Sequence, residues 1–137
     1  MAKQKVVEVK GIKLTVFGRW EPMSDVSLKA LQQAVGGYIT VVNIDGGGVV
    51  AIDDVFDLPI RLLNKPVKDL FGLDIVGDVV IIGNPDDEGE TLPISNELIA
   101  KIVLNVPVTP QVYKKLNKMP RIMEVITNAA LGTADVP

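Results

Sequence analysis

The feature that most constrains the fold is a stretch at 38–52, where two β-favouring runs flank a glycine-rich turn. Residues 38–44 read YITVVNI, which alternates and is rich in β-branched residues, and residues 49–52 read VVAI. Asp45-Gly46-Gly47-Gly48 lies between them and is typical of a hairpin turn. The glycines lack the spacing and the following Lys-Ser/Thr of a phosphate-binding loop. The stretch therefore predicts two antiparallel strands.

An N-terminal hairpin is predicted before this stretch. Val6 to Val9 and Ile12 to Phe17 are rich in β-branched residues, and Lys10-Gly11 fits a two-residue turn between them. Arg19-Trp20-Glu21-Pro22 is expected to break the strand pattern. These strands would extend the sheet on the N-terminal side.

Two further strands are predicted in the second half of the chain. Val79 to Ile82 is a short apolar run that is typical of a buried strand. Thr91 to Ile94 can return as a strand, but Pro93 would confine it to a sheet edge. The sequence thus predicts five or six short strands in all.

Apolar residues at helical spacing, together with capping residues, predict the helices. They are a helix capped by Ser24 or Asp25 that runs to Ala34 and ends at Gly36, two short helical turns within 58–70 separated by Pro66, a helix from Asn96 to Leu104 capped by Ser95, one from Pro110 to about Asn117 capped by Thr109, and one from Arg121 to Leu131 that stops at Gly132. The predicted fold class is α+β: a mostly antiparallel, twisted sheet with helices packed on one side, plus a C-terminal helical pair. We expect an α+β domain at 1–104 and a C-terminal helical extension at 105–137.

The composition argues against most catalytic chemistry. The 137 residues include no cysteine and no histidine. Thiol nucleophiles, disulfides, Ser-His-Asp triads and the usual zinc and iron–sulfur sites are therefore excluded. Carboxylate sites for hard metals stay possible. We expect no catalytic residue, no metal site and no cofactor, and we predict that the protein is not an enzyme.

The net charge of -3 conceals an acidic centre. Residues 1–39 carry a net +3, residues 40–99 carry -9 and residues 100–137 carry +3. The acidic candidates for binding a partner are Asp53, Asp54, Asp57, Asp86 and Asp87. They could mimic the charge of a nucleic acid, or they could simply be solvated loop residues. The spacing after Asp86 does not fit an EF-hand.

A second candidate site lies at Gly36-Gly37-Tyr38, with Arg61 as a further binding residue. Paired glycines between a helix and a strand allow a close approach of the backbone, and tyrosine has an apolar body with a polar tip. These residues could contact a ligand. The alternative is a tight connection in which Tyr38 packs on the edge of the core.

Neither nucleic acid nor membrane is an expected partner. Lys114, Lys115, Lys118 and Arg121 form a basic stripe, but the chain is acidic and Tyr113 is the aromatic residue nearby. The longest uncharged run, 30–44, is too short and too polar to span a bilayer. We therefore expect a soluble, cytoplasmic protein that does not bind nucleic acid directly.

The order of several motifs resembles domain-of-unknown-function family 3846. The motifs are LQQAVGGYITVV at 31–42, LPIRLLN at 58–64, IVGDVVIIG at 75–83, and DEGE at 87–90 followed by the helix after Ser95. The resemblance covers about 27–104, so that the N-terminal hairpin and 105–137 are additions. It departs at Thr40, where the family often has an acidic residue.

The resemblance implies a small accessory protein of a bacteriophage, plasmid or other mobile element, acting in the cytoplasm of a bacterial host. It supplies no catalytic residues. We expect a non-enzymatic binder of a host protein or a small ligand. The alternative is a structural or assembly protein that forms a homo-oligomer through 105–137 or a contact in the virion.

Overall fold

The protein is built on one antiparallel sheet. The computed structural model describes the backbone of residues 8–135 and the side chains of residues 8–128. The strands are β1 (Gly11–Leu14), β2 (Trp20–Met23), β3 (Ile39–Ile44), β4 (Gly47–Ile52) and β5 (Val79–Gly83). Their order across the sheet is β2-β1-β5-β4-β3, and every neighbouring pair is antiparallel.

The β3–β4 hairpin confirms the main prediction from the sequence. Its register places Ile44 opposite Gly47, so that Asp45 and Gly46 alone make the turn. Gly46 has φ +84°, a conformation that glycine adopts without steric cost. Gly47 and Gly48, which the sequence placed in the turn, belong to β4.

The N-terminal hairpin differs from the prediction. Gly11 is the first residue of β1, and β1 pairs with β2 through the turn at 15–19. The predicted turn at Lys10-Gly11 is therefore wrong, and the supposed break at 19–22 is mostly β2. Pro22 is tolerated because β2 is an edge strand. Of the predicted first strand, Val6 and Val7 lie outside the described residues, and Glu8 and Val9 are not in a strand.

Five helices and two short 3₁₀ turns surround the sheet within residues 8–135. The helices are α1 (Leu28–Val35), α2 (Lys65–Phe71), α3 (Asn96–Val103), α4 (Pro110–Tyr113) and α5 (Pro120–Asp135), and the 3₁₀ turns are Val55–Asp57 and Leu116–Lys118. The caps of α3 and α4 at Ser95 and Thr109 are confirmed, since each hydroxyl accepts a hydrogen bond from the third residue of its helix. At α1 the cap is Ser27, not Ser24 or Asp25.

The helices that begin near Pro66 and Pro120 differ from the predicted ones. Pro66 lies in the first turn of α2, where its missing N–H is not needed, so it starts a helix instead of separating two. Pro120 opens α5 in the same way, and the helix continues past Gly132. Thr91 to Ile94 is not a strand, since its pairing is limited to one bridge between Pro85 and Thr91.

Alternate residues of the sheet fill two cores on opposite faces. The larger core takes Val49, Ala51, Val79 and Ile81 from the inner strands and is covered by α2, α3, α4 and α5. The smaller core takes Val50, Ile52, Val80 and Ile82 and is covered by α1. The predicted α+β class with C-terminal helices is confirmed, but the helices lie on both faces because the inner strands are apolar on both sides.

The C-terminal segment packs into the larger core. Met119, Ile122 and Val125 are buried against α3 and the sheet. Arg121 fixes α5 to the rest of the chain: its guanidinium donates to the carbonyl oxygens of Val9 and Ile94 and to Oδ1 of Asn96. Partial burial lowers the pKa of Arg121, although a guanidinium stays charged at neutral pH. In the described part of the chain, no helix is both long and apolar enough to cross a bilayer.

Candidate functional site

Most of the predicted site residues meet at one end of the sheet. At this end, which we call the Tyr38 end, β3 begins, β4 ends and β5 begins. It holds seven of the nine candidates, namely Gly36, Gly37, Tyr38, Asp53, Asp54, Asp57 and Arg61. Asp86 and Asp87 follow β5 and therefore lie at the opposite end of the sheet.

The connection from α1 to β3 is tight, and it also presents Tyr38 to solvent. Gly36 ends α1 with φ +93°, and its N–H donates to the Gln32 carbonyl. A side chain at Gly37 would lie 3.1 Å from Cδ1 of Ile52, so there is little room for one. The Tyr38 carbonyl accepts from the Asp53 N–H at 2.8 Å, but its side chain is 75% exposed. The alternative prediction, in which the ring packs on the edge of the core, is therefore wrong.

The acidic residues at this end have unequal roles. Asp54 Oδ1 accepts a hydrogen bond from the Phe56 N–H at 2.9 Å and so caps the 3₁₀ turn Val55–Asp57. Asp53 and Asp57 are exposed. The turn matters because it lifts Phe56 into solvent while its neighbour Val55 packs against the smaller core.

Arg61 contacts this turn. Its guanidinium carbon lies 5.0 Å from the centroid of the Phe56 ring, which is the geometry of a cation–π interaction. Both side chains are exposed, so the interaction is worth about 0.5–1 kcal/mol and orients the two groups. Phe56 was not predicted as a site residue, although its position beside three aspartates in an irregular segment could have indicated exposure.

Apolar side chains that the sequence did not identify as site residues are also exposed at this end of the sheet. Phe17 is 82% exposed, Phe56 77% and Ile60 68%. Leu62 and Leu63 fall within the helical turns predicted at 58–70, but they lie in an extended segment before α2 and are about half exposed. We call the set Phe17, Tyr38, Phe56, Ile60, Arg61 and Leu62 the aromatic surface.

Two clefts meet at Phe17. A groove of about 210 Å³ is lined mainly by apolar residues, among them Phe17, Leu58 and Ile60, and its one charged lining residue in the described part of the chain is Asp78. A larger cleft of about 450 Å³ lies between the 15–19 turn, α2 and 105–107. The charged groups in the larger cleft, Lys65 and Asp69, pair with each other at 3.0 Å.

A buried amide holds the segment 53–64 in place. Asn64 is fully buried, and its Nδ2 donates to the carbonyl oxygens of Leu14 at 3.0 Å and Gly77 at 2.9 Å. Its Oδ1 accepts from the Val67 N–H and caps α2. The segment that carries Phe56, Ile60 and Arg61 is thus tied to the sheet end at its C-terminal side.

The acidic residues at the other end of the sheet form a local turn. Asp86 Oδ1 accepts from the N–H groups of Glu88 and Glu90, both at 2.9 Å. Asp87 is the neighbouring residue in this turn. The predicted acidic centre is therefore divided between two ends of the sheet.

Two alternatives from the sequence can be compared with the geometry. Among the residues whose side chains are described, no three acidic groups come together in a way that could hold a metal ion. Arg121 is not part of a free basic stripe, because its guanidinium donates hydrogen bonds to Val9, Ile94 and Asn96. The Tyr38 end thus presents exposed aromatic and aliphatic groups, the guanidinium of Arg61 and three exposed aspartates.

A family model described as "Domain of unknown function (DUF3846)" matches residues 9–106. The match spans more than two thirds of the chain, from just before β1 to just after α3. It includes β1 and β2, so the N-terminal hairpin is part of the family region and not an addition to it. No curated protein and no solved structure matches the chain significantly. The chain belongs to the DUF3846 family.

Proposed function

We propose that this protein is a non-enzymatic binding protein that captures a host protein through the aromatic surface. The observation that carries the proposal is the projection of Phe17, Tyr38 and Phe56 into solvent at one end of the sheet. Exposed apolar groups of this size are unfavourable in water unless a partner covers them. Aromatic residues and arginine are also the side chains most enriched at the centres of protein interfaces.

The shape of the surface favours a macromolecule over a small ligand. Pockets for small molecules usually enclose about 300–1,000 Å³. The groove beside Phe17 has about 210 Å³, and the rings of Tyr38 and Phe56 project outward instead of lining a cavity. Projecting rings can enter pockets on a partner, as anchor residues of interfaces do.

The cellular setting of the proposal rests on the sequence resemblance. That resemblance implies a gene carried by a bacteriophage, plasmid or other mobile element, so the proposed partner is a protein of the bacterial host, met in its cytoplasm. The lack of cysteine and histidine supports binding over catalysis.

The test compares the aromatic surface with an exposed aromatic elsewhere. Tagged protein captures host proteins from lysate, and the affinity for the purified partner is then measured by calorimetry. Phe17→Ser with Phe56→Ser should weaken binding at least tenfold, because the loss of an anchor costs about 2 kcal/mol or more. Tyr113→Ser is the matched control, since Tyr113 is 68% exposed on α4.

Two results would decide against this proposal. Unchanged affinity of the double serine variant would show that the aromatic surface is not the interface. Loss of binding on joint alanine substitution of Asp53, Asp54, Asp57, Asp86 and Asp87, with the serine variant unaffected, would instead favour mimicry of nucleic acid.

The larger cleft supports a second candidate function, the sequestration of a small ligand. Its volume of about 450 Å³ lies in the range of ligand pockets, and Lys65, Asp69 and Asn105 provide polar groups beside an apolar wall. Native mass spectrometry of protein purified from the host would detect a retained ligand as added mass. Pro66→Trp, which would fill this cleft at the start of α2, should remove that added mass.

A further inference from the structure

The two edges of the sheet differ in how they are protected. β2 is short, contains Pro22 and is covered by the chain that leads to α4. The Trp20 N–H donates to the Pro107 carbonyl at 3.1 Å, and the Trp20 carbonyl accepts from Thr109 at 3.4 Å. This edge is closed to further strands.

The opposite edge, β3, has none of these protections. Its six residues, ITVVNI, include no proline and no charge, and they pair with β4 without a bulge. Among the described residues, no strand or loop pairs with its outer side. A long, uncharged, regular edge strand is a template for another strand, and most proteins avoid exposing one.

The hydrogen-bond phase shows which groups are available. The Asp53 N–H donates to the Tyr38 carbonyl, so Tyr38 is a hydrogen-bonded partner of β4, and the even-numbered residues of β3 follow the same pattern. The N–H and C=O groups of Ile39, Val41 and Asn43 therefore point away from β4. They provide three donors and three acceptors in a row.

We propose that β3 pairs antiparallel with β3 of a second copy, with Val41 opposite Val41 on a two-fold axis. This register places Ile39 opposite Asn43 and uses all the outward groups. Between Gly37 and Ile52 the chain carries one charge, that of Asp45 in the turn, which would face Gly37 of the other copy. The pairing therefore brings no like charges together.

The covered β2 edge explains why the proposed pairing stops at two copies instead of continuing into a longer array. A two-fold pair of sheets would form one continuous ten-stranded sheet whose two outer edges are both β2. Because β2 is covered by 107–109, the assembly closes at two copies. This interface adjoins the aromatic surface, because Tyr38 would lie opposite Ile44 of the other copy. It is separate from the C-terminal contact predicted from the sequence.

The test uses charges placed on the proposed axis. Full-length protein at high micromolar concentration should show by analytical ultracentrifugation twice the 14.7 kDa mass of one chain. Val41→Lys and Val41→Glu should each be monomeric, because like charges would meet at the axis, and circular dichroism should show that both are folded. An equimolar mixture of the two should recover a mixed dimer. Thr40→Lys is the matched control and should stay dimeric, since Thr40 would face Val42.

Three outcomes would overturn the proposal. A monomeric full-length chain would exclude a second copy and leave the edge for a partner's strand. A Val41→Lys variant that stays dimeric would place the interface elsewhere, for example on α4 or α5. Two charged variants that are monomeric but do not form a mixed dimer would exclude the two-fold register.

Discussion

A single buried amide shows how one residue positions the candidate site. Among the described residues, Asn64 is the one polar or charged residue that is buried. Its amide nitrogen and its amide oxygen both have hydrogen-bond partners. It joins the end of β1, the turn at Gly77 and the start of α2. A buried polar group with all its hydrogen bonds made specifies one arrangement of these segments.

We predict that Asn64→Ala lowers the free energy of unfolding by about 3 kcal/mol. The substitution removes three buried hydrogen bonds, those of the amide with the carbonyl oxygens of Leu14 and Gly77 and with the N–H of Val67. Urea unfolding followed by circular dichroism measures the change. Asn105→Ala is the control: its amide donates to the Lys101 carbonyl at an exposed position, so it should cost under about 1 kcal/mol. Equal losses in the two variants would contradict the role of Asn64.

Capping residues are predictable from sequence where their partners are close in the chain, and they are not where the partners are distant. Ser95 and Gly36 act within one helical turn, and both predictions are confirmed. Asn64 contacts Leu14, which is fifty positions away, and no local pattern contains that information. The site residue Phe56 was not predicted for a similar reason, because its exposure depends on how the whole segment 53–64 folds back against the end of the sheet.

At the scale of elements, the glycines of the β3–β4 hairpin have different functions. Gly46 provides the positive φ of the turn. Gly47 lies inside the sheet, where a Cβ atom would clash with the carbonyl oxygen of Ile82 in β5 and approach Leu98 within 2.9 Å. The close approach of β4 and β5 thus depends on the missing side chain at Gly47.

We therefore expect Gly47→Ala to destabilise the protein more than Gly46→Ala. A backbone oxygen cannot move aside cheaply, so Gly47→Ala should cost about 3 kcal/mol. Gly46→Ala requires a left-handed conformation but brings no clash, since the nearest atoms, on Leu98 and Ser95, lie 4.0 Å from the added Cβ, and it should cost about 1 kcal/mol. Thermal unfolding of the two variants gives the order directly. A larger loss for Gly46→Ala would mean that the turn, and not the strand packing, limits stability.

Strands with strong local patterns could be predicted, whereas β2, a short edge strand that contains Pro22, could not. β3, β4 and β5 follow from runs of β-branched residues, and the pairing of β3 with β4 follows from the turn between them. β2 was missed because proline normally argues against a strand, whereas at this covered edge it removes no ladder bond. The residues from Thr91 to Ile94 have the composition of a strand but do not form one. The turn before them is closed by the hydrogen bonds that the Asp86 side chain accepts, so it does not need a pair of strands to hold it.

At the scale of the molecule, the topology explains why the candidate residues gather. α1 ends where β3 begins, and β4 ends beside the same point, so Tyr38 and the 53–61 segment must be neighbours. The sequence placed Tyr38 and Arg61 together as candidates for one site. It grouped the aspartates at 53–57 instead with Asp86 and Asp87, which lie at the opposite end of the sheet. It did not predict the contribution of Phe17, because that required the β1–β2 turn to be placed at the same end of the sheet.

The larger core joins the C-terminal helices to the family region, and this has a consequence for unfolding. Trp20, the one tryptophan of the chain, is 2% exposed, lies in β2 and is hydrogen-bonded to Pro107. Ile122 of α5 is fully buried in the same core. We predict one cooperative transition in which Trp20 fluorescence and helical circular dichroism change together. Ile122→Ala should shift both signals equally, with a loss of about 3 kcal/mol, because it removes buried methyl groups.

The matched control is Met123→Ala, which changes a partly exposed side chain on the same helix and should cost under about 1 kcal/mol. If residues 105–137 formed an independent extension, the helical signal would fall first and Trp20 would respond in a separate, later transition. Ile122→Ala would then shift the first transition alone. Coincident shifts instead mean that β2 and α5 are parts of one cooperative unit, because each covers the core that stabilises the other.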